Sequence, residues 1–216
     1  MARRTKEEAM ETRERLLESA LEIMSEKSFS KVSMNEIAEK IGLSKGAAYW
    51  HFKNKNDILV NLIESLCADG EMDFEANGVD FEATGAIRGY FRDKIAKTME
   101  SGRYKRINML LQRKMEWPED VRRRVFTFVR GWAEAERRMV ERLLVKAQGE
   151  GSIRGDVSPA ELSAVITAIF HGLTLFHVIG IFSIDLLKQT DFIFDALSRE
   201  LETKNQKNNF QKEQVR

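Results

Sequence analysis

The chain has 216 residues, 43% hydrophobic and 32% charged, with 35 Lys+Arg against 34 Asp+Glu and a formal net charge of +1. That length suits one large domain or two small ones and buries a real core. One cysteine excludes a disulfide framework or a cysteine-based zinc site. The basic first residues lead into no apolar run, so no secretory signal is expected and the cytoplasm is the default compartment. Taken alone, the total of +1 also argues against a nucleic-acid partner.

The pattern is helical almost throughout, with no sustained alternation at period two, and an all-α fold is predicted. The first helix is expected from Thr5 to Lys27, opened by a Thr5/Glu8 capping box, with Leu16, Ala20, Ile23 and Met24 as its apolar stripe. Residues 28–31 are a break. Ser33 and Glu36 form a second capping box and start a short helix that Gly42 ends. Ser44 caps a third helix reaching Trp50. Asn54, with Asp57 three residues on, caps a fourth containing Ile58, Leu59, Leu62, Ile63 and Leu66.

Between Leu66 and Ile87 lie six acids, no bases and three glycines, read as a helix end and a solvated loop. Helices follow at about 81–101, 103–115 and 121–148, with a turn at 117–120 and a stop at Gly149-Glu150-Gly151. Ser158-Pro159-Ala160-Glu161 starts another, with a capping Ser and Pro in the first turn. A last helix is expected over 185–202, and residues 204–216 form a polar tail expected to be disordered.

Residues 33–55 carry the chemistry. A short capped helix, a turn holding Gly42 and a second capped helix make a helix-turn-helix, whose second helix enters the major groove with its N-terminal residues nearest the bases. Those residues are Ser44, Lys45, Gly46 and Ala47. Small side chains admit the backbone to the groove, and Lys45 is the long donor. Tyr49 and His51 offer polar tips suited to phosphate. Lys53 and Lys55 stand at the start of the fourth helix, where free N–H groups also attract anions. From Lys40 to Asn56 there are four lysines and no acid. Arg3, Arg4 and Lys6 add a basic arm. The alternative is that capped helices and a lysine cluster belong to any small helical domain.

The stretch Glu36-Ile-Ala, then Gly42-Leu-Ser-Lys-Gly-Ala-Ala-Tyr-Trp-His-Phe-Lys-Asn-Lys-Asn-Asp-Ile, resembles the N-terminal domain of the TetR (tetracycline-repressor) family. The opening residues and Tyr49-Trp50-His51-Phe52 are similar to the AcrR/TtgR type of multidrug-efflux repressor. The match covers about the first 60 residues; beyond them only helix order and length agree. The resemblance implies about nine helices, with a three-helix DNA-binding head at 1–53 and a helical effector-binding and dimerisation domain at 54–203. It implies a homodimer on operator DNA. Carried over by position, Ser33, Ser44, Lys45, Gly46, Ala47, Tyr49, Trp50, His51 and Lys55 line that DNA, with Tyr49, His51 and Lys55 mainly on phosphate. Ala48 departs from the pattern, since many members carry a larger apolar residue there, and a slightly looser recognition helix is expected.

In the C-terminal part, Leu162–Phe182 runs 21 residues without Asp, Glu, Lys or Arg. That could span a bilayer. Its Ser, Thr and His residues and the small-residue row Ala164, Ala168, Gly172 favour a buried helix at a protein interface, and no membrane partner is expected. Leu175 with Ile193 and Leu197 of the next helix would complete a four-helix dimer contact. Aromatic and Met residues over 90–132 read first as core. The residues read as a possible effector wall are Phe91, Met109, Met115, Trp117, Phe128, Trp132, Phe170 and His171. Glu116 suits either a cationic drug or the surface of a helix end, the latter being favoured.

His171 and His177 are six apart and do not share a face as a metal pair would; no metal and no cofactor are expected. The acidic surroundings of Cys67 raise a thiol pKa, against a redox sensor. With no nucleophile-elbow, P-loop, zincin or Rossmann signature, an enzyme is not expected. The expected function is a ligand-responsive repressor of an efflux or transport operon, released by an apolar or cationic small molecule. The alternative is the same fold sensing fatty acyl or acyl-CoA ligands to regulate lipid metabolism.

Overall fold

The computed structural model describes residues 5–69, 83–100, 102–181 and 183–201. Nine α-helices lie among them: α1 Lys6–Glu26, α2 Met34–Lys40, α3 Lys45–His51, α4 Lys55–Asp69, α5 Ala83–Glu100, α6 Gly102–Gln112, α7 Glu119–Gly149, α8 Pro159–Val178 and α9 Leu186–Leu201. Single 3₁₀ turns occupy Phe29–Lys31 and Lys114–Glu116. The expected arm at Arg3 and Arg4, most of the acidic loop, the tail and the Cys67 side chain lie outside the described residues.

The caps predicted from sequence set most helix starts. Thr5 and Glu8 form the reciprocal box, Ser44 Oγ accepts from Ala47 N at 3.2 Å, and Ser158 Oγ accepts from Glu161 N at 3.3 Å. At α2 the box is half made. Ser33 Oγ accepts from Glu36 N, while the Glu36 carboxylate turns to Lys27 instead. The α6 helix ends earlier than its pattern suggests because residues 114–116 tighten into a 3₁₀ turn. Gly42, at φ 73°, makes the turn between α2 and α3 that an L side chain would strain.

Packing groups the chain into two compact units, residues 1–72 with 102–131 and residues 73–101 with 132–216. Packing therefore does not follow the linear division at residue 54: α4, α6 and the first part of α7 pack with the head. The first unit's core joins Leu16, Leu17, Ile37, Phe52 and Leu59 to Ile107, Leu110, Trp117 and Val121. The second unit's core joins α5, α7, α8 and α9. Phe91 stacks on Phe170 at 4.3 Å between centroids, and Phe170 on Phe194 at 5.4 Å. Arg88 and Arg92 of α5 pair with Asp191 of α9, and Arg88 also with Asp195.

Candidate functional site

The helix-turn-helix is locked from beneath. Ala48 and Phe52 of α3 are buried, and Arg13 stacks over the Phe52 ring at 5.1 Å. Ser19 Oγ of α1 donates to Ile37 O of α2 at 2.9 Å inside the core. Ala48 sits with no exposure, so the expected loosening at this departure from the family pattern meets a fully packed position. With Ala48 and Phe52 inward, helical geometry turns Gly46, Tyr49 and Trp50 outward, and Lys45 is exposed at the first position of the helix. All four are exposed, Trp50 by 74%. The Lys45 ammonium leans over the Tyr49 ring at 5.8 Å. Trp50 meets His51 edge-on at 4.6 Å. Ser33 and Ser44 are exposed caps, and Ala47 is half-buried.

Lys55 is turned to the backbone. Its ammonium donates to the carbonyls of Phe29, Ser30 and Val32 at 2.8, 3.1 and 2.9 Å and lies over the Phe29 ring at 4.8 Å. Burial pushes its pKa below the usual lysine range. Hydrogen bonds to three carbonyls make it a brace of the α1–α2 turn. The α4 start is also occupied: Asn54 Oδ1 accepts from Asp57 N at 2.9 Å, and Asp57 Oδ2 from Lys53 N at 3.1 Å. Lys40 pairs with Glu22 at 2.9 Å. That hydrogen bond holds the Glu22 carboxyl below its ordinary pKa and raises the Lys40 ammonium above its own. Of the four lysines in the basic run, Lys45 and Lys53 remain exposed outside such pairings.

The residues of the expected effector wall are divided between the two units. Trp117 is in the first unit's core, 4% exposed. Met109, Met115 and Phe128 belong to that unit as well, with Met115 76% exposed. Glu116 is an exposed residue at the end of the 114–116 turn, as favoured, and its carboxylate accepts from Ser28 Oγ at 2.8 Å and from Phe29 N at 3.3 Å. It steadies the turn that Lys55 braces. Phe91 and Phe170 are core of the second unit.

Trp132 and His171 do meet, ring to ring at 5.5 Å, beside a group that sequence reasoning missed. Glu136 of α7 is 5% exposed. It accepts from Tyr90 Oη at 2.5 Å and pairs with Lys94, both on α5, while its other oxygen meets His171 Nε2 of α8. The Lys94 ammonium lies 4.1 Å from the Trp132 ring centroid and 5.4 Å from that of Tyr90. Burial alone would raise the Glu136 pKa; the His171 hydrogen bond and the Lys94 charge outweigh it and hold the carboxyl at about 2. A signal existed, because Tyr90/Lys94 and Trp132/Glu136 are each four apart, one above the other on a helix face.

In the second unit, α8 buries Leu162, Ser163, Ile166, Thr167 and Phe170 and turns its other side out. Ala164, Ala168 and Leu175 are exposed and Gly172 is half-buried. Val165 and, on α9, Phe192 are exposed by 50% and 63%, whereas Ile193 and Leu197 are half-buried against the unit's own core. The α8 helix is long and apolar enough to cross a membrane, as core helices of soluble proteins also are.

Among the described residues every regular element is helical, and one face of a braced helix-turn-helix is displayed at the N-terminal end. Residues 16–62 match the family described as bacterial regulatory proteins, tetR family. The chain is 43% identical over 79 residues to the HTH-type transcriptional regulator AcrR of Shigella flexneri, covering 35% of this chain and 37% of that one. It is 32% identical over 123 residues to the HTH-type transcriptional regulator TtgR of Pseudomonas putida, covering 56% and 59%. These matches thus span well under two thirds of either relative.

Two solved structures share the fold. NalD, a secondary repressor of a multidrug efflux pump in Pseudomonas aeruginosa, superposes with TM-score 0.71 at 18% identity over 91% of this chain and 99% of that one. FadR, a fatty acid degradation regulator from Bacillus halodurans, gives 0.70 at 12% over 91% and 97%. The likeness to the tetR family is thus carried by residues 16–62, and the likeness to the solved structures is one of fold.

Proposed function

We propose that this protein is a ligand-responsive transcriptional repressor of an efflux or transport operon. It binds a palindromic operator as a homodimer and releases it when an apolar or cationic small molecule binds the helical part beyond residue 53. The observation that carries this reading is the outward face of α3, with Lys45, Tyr49 and Trp50 exposed over buried Ala48 and Phe52. Lys45 is the base-reading donor, and Tyr49, His51 and the exposed cap hydroxyls position the head on phosphate. No catalytic role is assigned to any residue, and the work is done in the cytoplasm.

A homodimer suits this reading, since two recognition helices about 34 Å apart match one turn of DNA. The outward apolar side of α8, with Phe192 of α9, is the surface offered to the second copy. This accounts for the apolar α8 without a membrane. The efflux target is supported by the fold shared with NalD and by the AcrR- and TtgR-like head. The fold match to FadR is nearly equal, so an acyl ligand is the second reading, separated by mass spectrometry of co-purified small molecules. For release, the ligand must favour the DNA-incompetent arrangement, and ~100-fold requires about 2.7 kcal/mol of differential affinity.

Operator titrations at several salt concentrations test the DNA side. Tyr49→Phe is expected to weaken binding to all sequences, and Lys45→Ala to change which sequences are preferred and flatten the salt dependence. Unchanged binding in both variants overturns the assignment.

A further inference from the structure

The sequence of residues 1–72 holds eleven basic and thirteen acidic residues, so the stretch that carries the recognition helix is net −2. The segment that packs with it, residues 102–131, holds nine basic and three acidic residues and brings the unit to +4, against −3 for the other unit. A net negative head repels a polyanion at a distance, and a positive unit attracts one. Several of the added charges are left for a partner. Arg106 pairs with Glu18 and Arg123 with Glu119. Among the described residues Arg113, Arg122, Arg124 and Arg130 form no ion pair, and Lys114 lies over the Phe126 ring at 5.3 Å. Lys114, Arg124 and Arg130 are exposed, and Arg113 and Arg122 half-buried.

Their place in the unit points the same way. Near the start of α6, Arg103 Nη2 donates to Ser65 Oγ at 3.0 Å, about 15 Å along α4 from Lys55. Past its far end, Glu116 accepts from Ser28 Oγ and Phe29 N, on the same α1–α2 turn whose carbonyls take Lys55. The α6–α7 turn is thus level with the end of the unit where α2 begins and α3 gives way to α4, and Arg113, Lys114, Arg122 and Arg124 flank it in sequence. We infer that this turn is a second DNA surface, whose four basic residues bind phosphates of duplex lying beyond the palindrome that α3 reads. Between two recognition helices one turn apart the duplex is covered by the heads themselves, so the free backbone lies outward. Phosphate contacts carry no base information, and the surface therefore adds affinity and salt dependence without adding sequence preference. The inference rests on the DNA-binding reading above and extends its interface.

Selection from a random duplex library supplies the palindrome. The full chain is then titrated with two duplexes, the palindrome alone and the palindrome extended by ~10 bp, one helical turn, on each side. Wild type is expected to bind the longer duplex at least ~10-fold more tightly and with a steeper salt slope, each engaged phosphate adding about 0.9. Arg122→Gln/Arg124→Gln is expected to lose most of that gain and to bind the short duplex within ~2-fold of wild type. Arg122→Lys/Arg124→Lys keeps the charge and is expected to keep the gain. Lys114→Gln/Arg124→Gln, at two exposed positions, is expected to lose part of it and remains informative if the half-buried Arg122 is needed for folding.

Equal wild-type affinity for the two duplexes, or a length gain unchanged in both Gln variants, overturns the second surface. Loss of binding to phosphatidylglycerol vesicles in those variants, with the length gain unchanged, overturns it in favour of a membrane. The head is read separately on the short duplex with Lys45→Ala. Short-duplex binding that depends on Lys45, with no length gain, retains the repressor reading and overturns the second surface. A length gain removed by the Gln variants, with short-duplex binding indifferent to Lys45, does the reverse. Selection of no duplex overturns both.

Discussion

The head and the second unit each set a lysine beside an aromatic ring, and they use it in opposite ways. On α3, Lys45 leans over Tyr49 in the open, where salt screens its charge. In the second unit, Lys94 lies over Trp132 and is spent on a carboxylate with 2% side-chain exposure. The first arrangement gives an interaction sensitive to ionic strength. The second gives a folding contribution sensitive to pH. Lys55 stands between them: it comes from the same basic run as Lys45 yet is turned inward on three carbonyls.

The sharpest way to break this contrast is to strand the buried cation. Glu136→Ala leaves Lys94 without its carboxylate, and a loss of roughly 3–5 kcal/mol is expected in urea denaturation. Lys94→Met/Glu136→Gln should recover most of that loss. A single variant as stable as wild type would show that the cluster is solvated and the contrast with Lys45 empty.

Acid titration sharpens the same point. The Glu136 pKa is depressed to about 2, so its contribution is fully present above the unfolded value near 4.5 and is lost as pH falls between the two. That contribution is roughly 3 kcal/mol. Glu136→Gln should remove this part of the acid dependence, measured by denaturation midpoints from pH 5 down to pH 2.

The smallest effect belongs to Lys55. Lys55→Met is expected to cost about 2 kcal/mol of stability by releasing the carbonyls of the α1–α2 turn. If its ammonium stays on those carbonyls, the salt slope of operator binding should keep the wild-type value, while Lys45→Ala lowers it by about one. Equal drops in slope for the two variants would return Lys55 to the phosphate contacts.

Much of the fold was legible because its signals are local. A capping Ser or Thr followed by Glu, an apolar stripe at helical spacing and a glycine at a positive-φ turn act within a few residues, and the starts of α1, α3 and α8 follow from them. The exposed face of α3 was readable for the same reason, once Ala48 and Phe52 are taken as the inward pair. The packing unit of each aromatic was not. Trp117 and Phe128 carry the same composition signal as Trp132, and nothing local tells an aromatic in one unit's core from one beside a cluster in the other.

The same division runs through the charges. The near-zero total of +1 concealed a basic run on the head, which the sequence by itself determined, along with the helical class, the caps and the helix-turn-helix. Only the tertiary structure decided which of those charges face outward. Glu22 takes Lys40, three carbonyls take Lys55, and Glu136 gathers Lys94, Tyr90 and His171 from two other helices. The physical reason is that periodicity sets the direction of a side chain around its own helix, whereas desolvation and pairing depend on what another helix brings within about 3 Å.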